Sequence, residues 1–306
     1  MQQLSLFPIA QQKAIVNVAS VPHRSPFRYP GGKTWLIPYI RRWLDVNGRK
    51  ESGVIPVCPY QLVEPFAGGG IVSLTAVAEG LVKQAIMVEK DEDVAAVWLT
   101  ILDGENCHWL TDEIMSFNVT YENVVRYLEK ADLLLRERAF KTILKNRMNR
   151  GGILASGAGL LKNGESGKGL RSRWYPSTLK KRILAINKMQ EKLTFIAGDG
   201  LSVLREYMSG VDAVFFIDPP YTAGSKKAGK RLYTHSEIDH TELFEIVYNL
   251  RGDFLMTYDD APKVRQMAEQ FRFDVECIPM KNTHHREMSE LLIGRDLSWL
   301  RHLLRS

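Results

Sequence analysis

The run FFIDPPY, Phe215 to Tyr221, passes from three apolar residues to an acid, two prolines and a tyrosine. Proline cannot donate to a β ladder and holds its own φ angle, so Pro219 and Pro220 end a strand and stiffen the chain just beyond it. Asp218 and Tyr221 are thereby held in fixed relation where the strand leaves its sheet. In an open α/β sheet, ligands bind beyond the carboxyl ends of the strands, so an acid and a ring placed there read as a site. The bland alternative is a strand terminator with an N-capping aspartate.

Two glycine stretches precede it. VEPFAGGG holds Phe-x-Gly-x-Gly between a strand and a helix, where glycine lets the backbone turn and approach a ligand at a helix N-terminus. A generic strand–helix turn has the same look. Glu89, 21 positions after Gly68 and at the end of the next strand, points to a nucleoside, since an acid at that distance commonly receives ribose hydroxyls. Ser73 stands where a dinucleotide loop carries its third glycine, which favours a mononucleoside-type cofactor over NAD. FRYPGGKTW offers a second glycine pair beside Tyr29 and Lys33, but Phe27 replaces the first glycine of a phosphate loop. It reads either as a lid closing over the same cofactor or as an ordinary lysine after a loop.

Periodicity supplies the scaffold that carries these residues. Residues 1–20 read as a flexible tail. QLVEP and AIMVEK are strands, each followed by a helix, and this alternation implies a parallel sheet. Between residues 105 and 194 the pattern becomes helical around a glycine-rich loop. Alternation resumes with LTFIAGDG, DAVFFIDPPY, GDFLMTYDD, FRFDVECIP and SELLIGRD. The expected architecture is one α/β domain, residues 21–104 and 195–306, interrupted by a basic, mainly helical insertion at 105–194.

Composition narrows the function. With 45% apolar and 25% charged residues the 306-residue chain suits a soluble globular protein. No apolar run is long enough to span a bilayer and no secretion signal opens the chain, so a cytoplasmic location is expected. Cys58, Cys107 and Cys277 are far apart, which suits reduced thiols, and no His-Glu-x-x-His pattern argues for a metal. Charge is uneven. From Arg138 to Lys188 there are thirteen Lys and Arg against one acid, Glu165, or +12, whereas the whole chain is +6 and the remainder therefore −6. Such one-signed density is expected to draw a polyanion.

FRYPGGK, VEPFAGGG, MVEK, GDG and DPPY, in this order, resemble the N6-adenine DNA methyltransferases of the Dam family over about residues 24–295. The resemblance implies S-adenosylmethionine as cofactor, and a Rossmann-like methyltransferase sheet with helices on both faces and an inserted helical target-recognition domain. It assigns Tyr29 and Lys33 to the cofactor lid, Glu64, Phe66 and Gly68 to the methionine-side loop, and Glu89 to the ribose. Asp199 would meet the cofactor's adenine, and Asp218, Pro219, Pro220 and Tyr221 would form the reaction centre, Asp218 serving cofactor and target alike. NRMNRGGIL and WYP are similar to recognition elements of the family, while the glycine-rich loop from Ala155 to Gly169 matches poorly and leaves the recognised sequence open. Double-stranded DNA is the implied partner, with Arg147, Arg150, Arg171 and Arg173 the candidate contacts in the insertion. Lys226, Lys227, Lys230 and Arg231 follow the reaction centre and would touch phosphates at the target nucleotide.

The chemistry explains the residue types. Adenine N6 is a poor nucleophile buried in a duplex, and an enzyme must extrude the base to reach it. A carboxylate and the Pro219 carbonyl, each accepting one N6–H, would oppose the charge that develops on nitrogen. A tyrosine ring replaces lost stacking, worth about 1–3 kcal/mol per base. Two other readings stand beside this one: a methylase of RNA-base amino groups, and a silent DNA-binding regulator. In the tail, QLSLF resembles the short peptide with which bacterial proteins bind the sliding clamp, Leu4, Leu6 and Phe7 entering an apolar groove and Gln3 making polar contacts.

Overall fold

A computed structural model describes residues 21–28, 31–50, 60–155, 157–161, 169–220, 238–281 and 287–305. Gln3, Leu4, Leu6, Phe7, Tyr29, Tyr221, Lys226, Lys227, Lys230 and Arg231 lie outside the described residues. Gln61–Glu64 (β1), Gln84–Glu89 (β2), Leu193–Ala197 (β3), Ala213–Ile217 (β4) and Phe254–Asp259 (β5) pair in parallel. Asp274–Lys281 (β6) and Glu287–Gly294 (β7) pair antiparallel with each other, and β7 joins the edge of β5. The order across the sheet is β3-β2-β1-β4-β5-β7-β6.

Neighbouring residues on a strand point to opposite faces, and the sequence fills both. Leu62, Met87 and Phe216 belong to one apolar cluster, while Val63, Ile86 and Phe215 belong to the other. The first cluster takes in Ile37–Lys50 (α1), Ile71–Ala78 (α2) and Glu92–Leu102 (α3) through Trp43, Leu74 and Trp98. It continues into Gly104–Ser116 (α4), Tyr121–Leu128 (α5), Leu135–Met148 (α6) and Pro176–Asn187 (α7), the helical segment that enters after α3 and leaves into β3. The second cluster packs under Gly200–Glu206 (α8), His240–Asn249 (α9) and Pro262–Gln270 (α10). Ser298–Arg305 (α11) closes the described chain. This is the Rossmann-like α/β sheet, helices on both faces, that the sequence predicts.

Within the helical segment an aromatic knot supplies the core. Phe140 of α6 meets Tyr127 at 4.8 Å, Phe117 at 5.2 Å and Trp174 at 6.3 Å, all edge to face. Edge-to-face pairs add about 0.5–1.5 kcal/mol each beyond the area they bury. Among the described residues the only β pairing in this segment is one antiparallel bridge, Asn149 to Leu160.

Candidate active site

The strand order reverses between β1 and β4, whose carboxyl ends therefore open a crevice. The chain leaves β1 through Pro65–Gly70 and leaves β4 through Asp218, so both motifs border it. The glycine loop is fixed from three sides. Ala67 N–H donates to the Val88 carbonyl at 2.9 Å, Gly68 N–H donates to Glu89 Oε2 at 3.0 Å, and Trp98 Nε1 donates to the Gly68 carbonyl at 3.0 Å. Gly70 takes φ +61°, and a Cβ there would stand 3.0 Å from the Trp98 ring, so the last loop position admits only glycine.

Glu64 ends β1 and turns into the protein. Its carboxylate accepts the Ser73 N–H at 3.0 Å and the Ser73 hydroxyl, tying the strand end to the first turn of α2. Ser73, the residue that departs from a dinucleotide loop, is thus the partner that Glu64 needs. Burial pushes the Glu64 carboxyl up to about 8 against the pull of the Ser73 donors, and the charge of nearby Asp218 adds to the rise.

Glu89 ends β2 as expected, partly open to solvent. It accepts N–H groups from Gly68 at 3.0 Å and from Lys90 and Asp91 at 2.9 Å each. Burial of the carboxyl outweighs these donors and pushes it up to about 7. Two residues predicted as separate contacts, Gly68 and Glu89, are therefore bonded to each other. Asp199 stands at the end of the adjacent β3, where Oδ1 caps α8 by accepting from Leu201 and Ser202 at 3.0 and 3.1 Å. Its other oxygen lies 3.3 Å from the Lys90 ammonium. Phe66 is half-buried against Gly200 at the same helix start.

Asp218 is neither remote from the crevice nor aimed into the apolar interior; its side chain is 22% exposed. Oδ1 accepts the Thr257 hydroxyl at 2.6 Å and sits 3.0 Å from the Lys33 ammonium. Lys33, 3% exposed, also reaches Glu290 at 3.4 Å and donates to the Gly31 carbonyl at 3.1 Å. Pro219 is buried and Pro220 half-buried. Sequence reading passes over Thr257 and Glu290. The usable signal is polarity out of place: a threonine inside the buried run FLMTYD, and an acid immediately before LLIG.

The insertion places its arginines unevenly. Arg150 is exposed. Arg171 is exposed but donates to the Val119 carbonyl at 3.1 Å and Asn118 Oδ1 at 3.2 Å, while Arg173 is half-buried. Arg147 corrects the sequence reading: it is 5% exposed, and its guanidinium donates to the Pro26 carbonyl instead of facing outward. Burial lowers it to about 10, with Arg182 and Arg28 adding repulsion. Asn146 beside it grips the backbone of Arg28 from both sides, accepting its N–H at 2.9 Å and donating to its carbonyl at 3.1 Å. NRMNRGGIL thus contributes a clamp on the segment that leads to the glycine–lysine element.

Among the described residues no group of three or more His, Cys, Asp or Glu is gathered to hold a metal, and no helix is long and apolar enough to cross a membrane. A family model described as D12 class N6 adenine-specific DNA methyltransferase matches residues 29–278. No curated protein sequence matches the chain significantly. Solved structures similar to it include the rRNA methyltransferase aviRa from Streptomyces viridochromogenes, 12% identical, covering 88% of this chain and 87% of that one with a TM-score of 0.40. The tRNA methyltransferase TrmK of B. subtilis is 10% identical and covers 84% of this chain and 64% of that one, with a TM-score of 0.35.

Proposed function

Because the chain belongs to the D12 class of N6 adenine-specific DNA methyltransferases, we propose that it moves a methyl group from S-adenosylmethionine to N6 of an adenine everted from duplex DNA. The observation that carries this reading is Asp218 at the strand-order reversal, anchored by Lys33 and Thr257 beside the Glu64–Gly70 loop. The residues present fit the cofactor. Gly68, Gly69 and Gly70 present bare backbone after β1, and Glu89 and Asp199 set carboxylate acceptors at the ends of the next two strands.

When bound, S-adenosylmethionine supplies a methyl carbon on a positively charged sulfur that leaves as a neutral thioether. The Asp218 carboxylate accepts one N6–H of the target, and the Pro219 carbonyl accepts the other. Both acceptors lie where positive charge grows on nitrogen as its lone pair forms the new bond, so they favour the transition state over the ground state. The proton that N6 finally sheds passes to Asp218 or to water. The exposed Arg150 would neutralise phosphate along the duplex.

Sequencing DNA from cells that express the protein, with a readout for modified adenine, tests the reading and returns the recognised sequence. N6-methyladenine at one sequence context supports it; its absence from DNA, with methyl groups in RNA instead, would replace it.

A further inference from the structure

We infer that Lys33 and Thr257 are positioning residues that hold Asp218 oriented for the target amine, a role different from closing a lid over the cofactor. The inference rests on the methyl-transfer reading above. Thr257 is fully buried on a strand whose six residues are all buried, a costly place for a hydroxyl without a purpose. The β4–β5 register aligns Ile217 with Met256, so the next residues along, Asp218 and Thr257, stand side by side. The 2.6 Å bond between them is the result.

Lys33 stands at the start of the turn that leads into α1. Its side chain is 4% exposed, and a buried ammonium is tolerated only with counter-charge. Asp218 at 3.0 Å and Glu290 at 3.4 Å supply it. Thr257 and Lys33 meet the same oxygen, Oδ1, which fixes the carboxylate along one edge before any ligand arrives. An acceptor that is already aimed loses little to reorganisation in the transition state.

The test compares Thr257→Val, Thr257→Ser and Lys33→Met with the wild type. Affinity for S-adenosylmethionine comes from calorimetry, the rate from single-turnover methyl transfer to DNA, and the Asp218 side-chain orientation from crystal structures of each protein alone. Thr257→Val is expected to slow transfer roughly 10–100-fold with cofactor affinity held within about threefold, and Thr257→Ser to restore most of the rate. Lys33→Met is expected to slow transfer at least about tenfold with cofactor affinity held within about threefold, and to turn the Asp218 carboxylate away from its wild-type orientation. Loss of cofactor affinity in Lys33→Met with an unchanged saturating rate would overturn the inference in favour of the lid. So would a wild-type rate in Thr257→Val, or an Asp218 carboxylate that keeps its wild-type orientation in both Thr257→Val and Lys33→Met. If Lys33→Met fails to fold, the Thr257 pair decides. If the wild type transfers nothing to DNA, the substrate reading fails and the Asp218 orientation in the variants still judges the positioning role.

Discussion

A carboxyl group sealed among apolar side chains is costly when charged, and Glu64 is such a group, 3% exposed with its proton held up to about 8. Its folded value lies above the ordinary 4.5, so the stability it contributes is complete below about 4.5 and drains away as pH rises to about 8. Glu64→Gln keeps an acceptor for the Ser73 hydroxyl and removes the titration. The melting temperature of Glu64→Gln relative to wild type is therefore expected to climb from pH 5 to pH 8 and then level off. A difference that stays flat across that range would mean that Glu64 is already ionised in the folded protein. At the same scale, sequence alone singles out Glu89 and Asp218, because each acid closes an apolar run at a strand end, while Glu64 and Asp199 enter through the family resemblance. It does not reveal that Glu64 turns inward to Ser73, or that Asp218 meets Thr257 and Lys33, since those partners are set by which strands lie side by side.

Elements pass these positions on to one another. The clamp of α6 and α7 on residues 25–28 joins the helical insertion to the segment that carries Lys33: Asn146 holds Arg28 and Arg147 holds Pro26 from α6, and Arg182 of α7 reaches the Ser25 carbonyl at 3.3 Å. Gly152 completes it. Its φ is +75°, and an added Cβ would lie 2.3 Å from the Arg28 carbonyl oxygen, a backbone atom that cannot swing aside. Gly152→Ala is expected to destabilise the protein by about 2–3 kcal/mol, read as a lower midpoint in urea unfolding. An unchanged midpoint would show that the clamp yields. This contact is hidden in the sequence, where RGG reads only as a turn and nothing pairs it with Arg28. The α/β alternation, by contrast, is plain, because short apolar runs and amphipathic helices carry their own periods.

For the whole molecule, the +12 carried by residues 138–188 sets where a polyanion is drawn, but a count of charges does not say which of them face water. Arg147 and Arg150, three positions apart, separate the two cases. Arg150→Ala is expected to weaken DNA binding and reduce the salt slope by about one, with melting unchanged. Arg147→Ala is expected to lower stability by about 1–3 kcal/mol through the lost bond to Pro26, with the salt slope unchanged. Binding measured over a salt series, beside melting curves, checks both, and an exchange of the two behaviours would contradict the placement of Arg147.

The central claim is that Asp218 accepts the target amine at the mouth of the sheet, and its most direct measurement is transfer of labelled methyl from S-adenosylmethionine. Duplex DNA and RNA are offered in parallel to the wild type and to Asp218→Ala, with cofactor binding verified for both proteins. The account predicts label at adenine N6 of DNA from the wild type, and a rate at least about a thousandfold lower from Asp218→Ala. Label that enters DNA at an undiminished rate without the Asp218 carboxylate would contradict it.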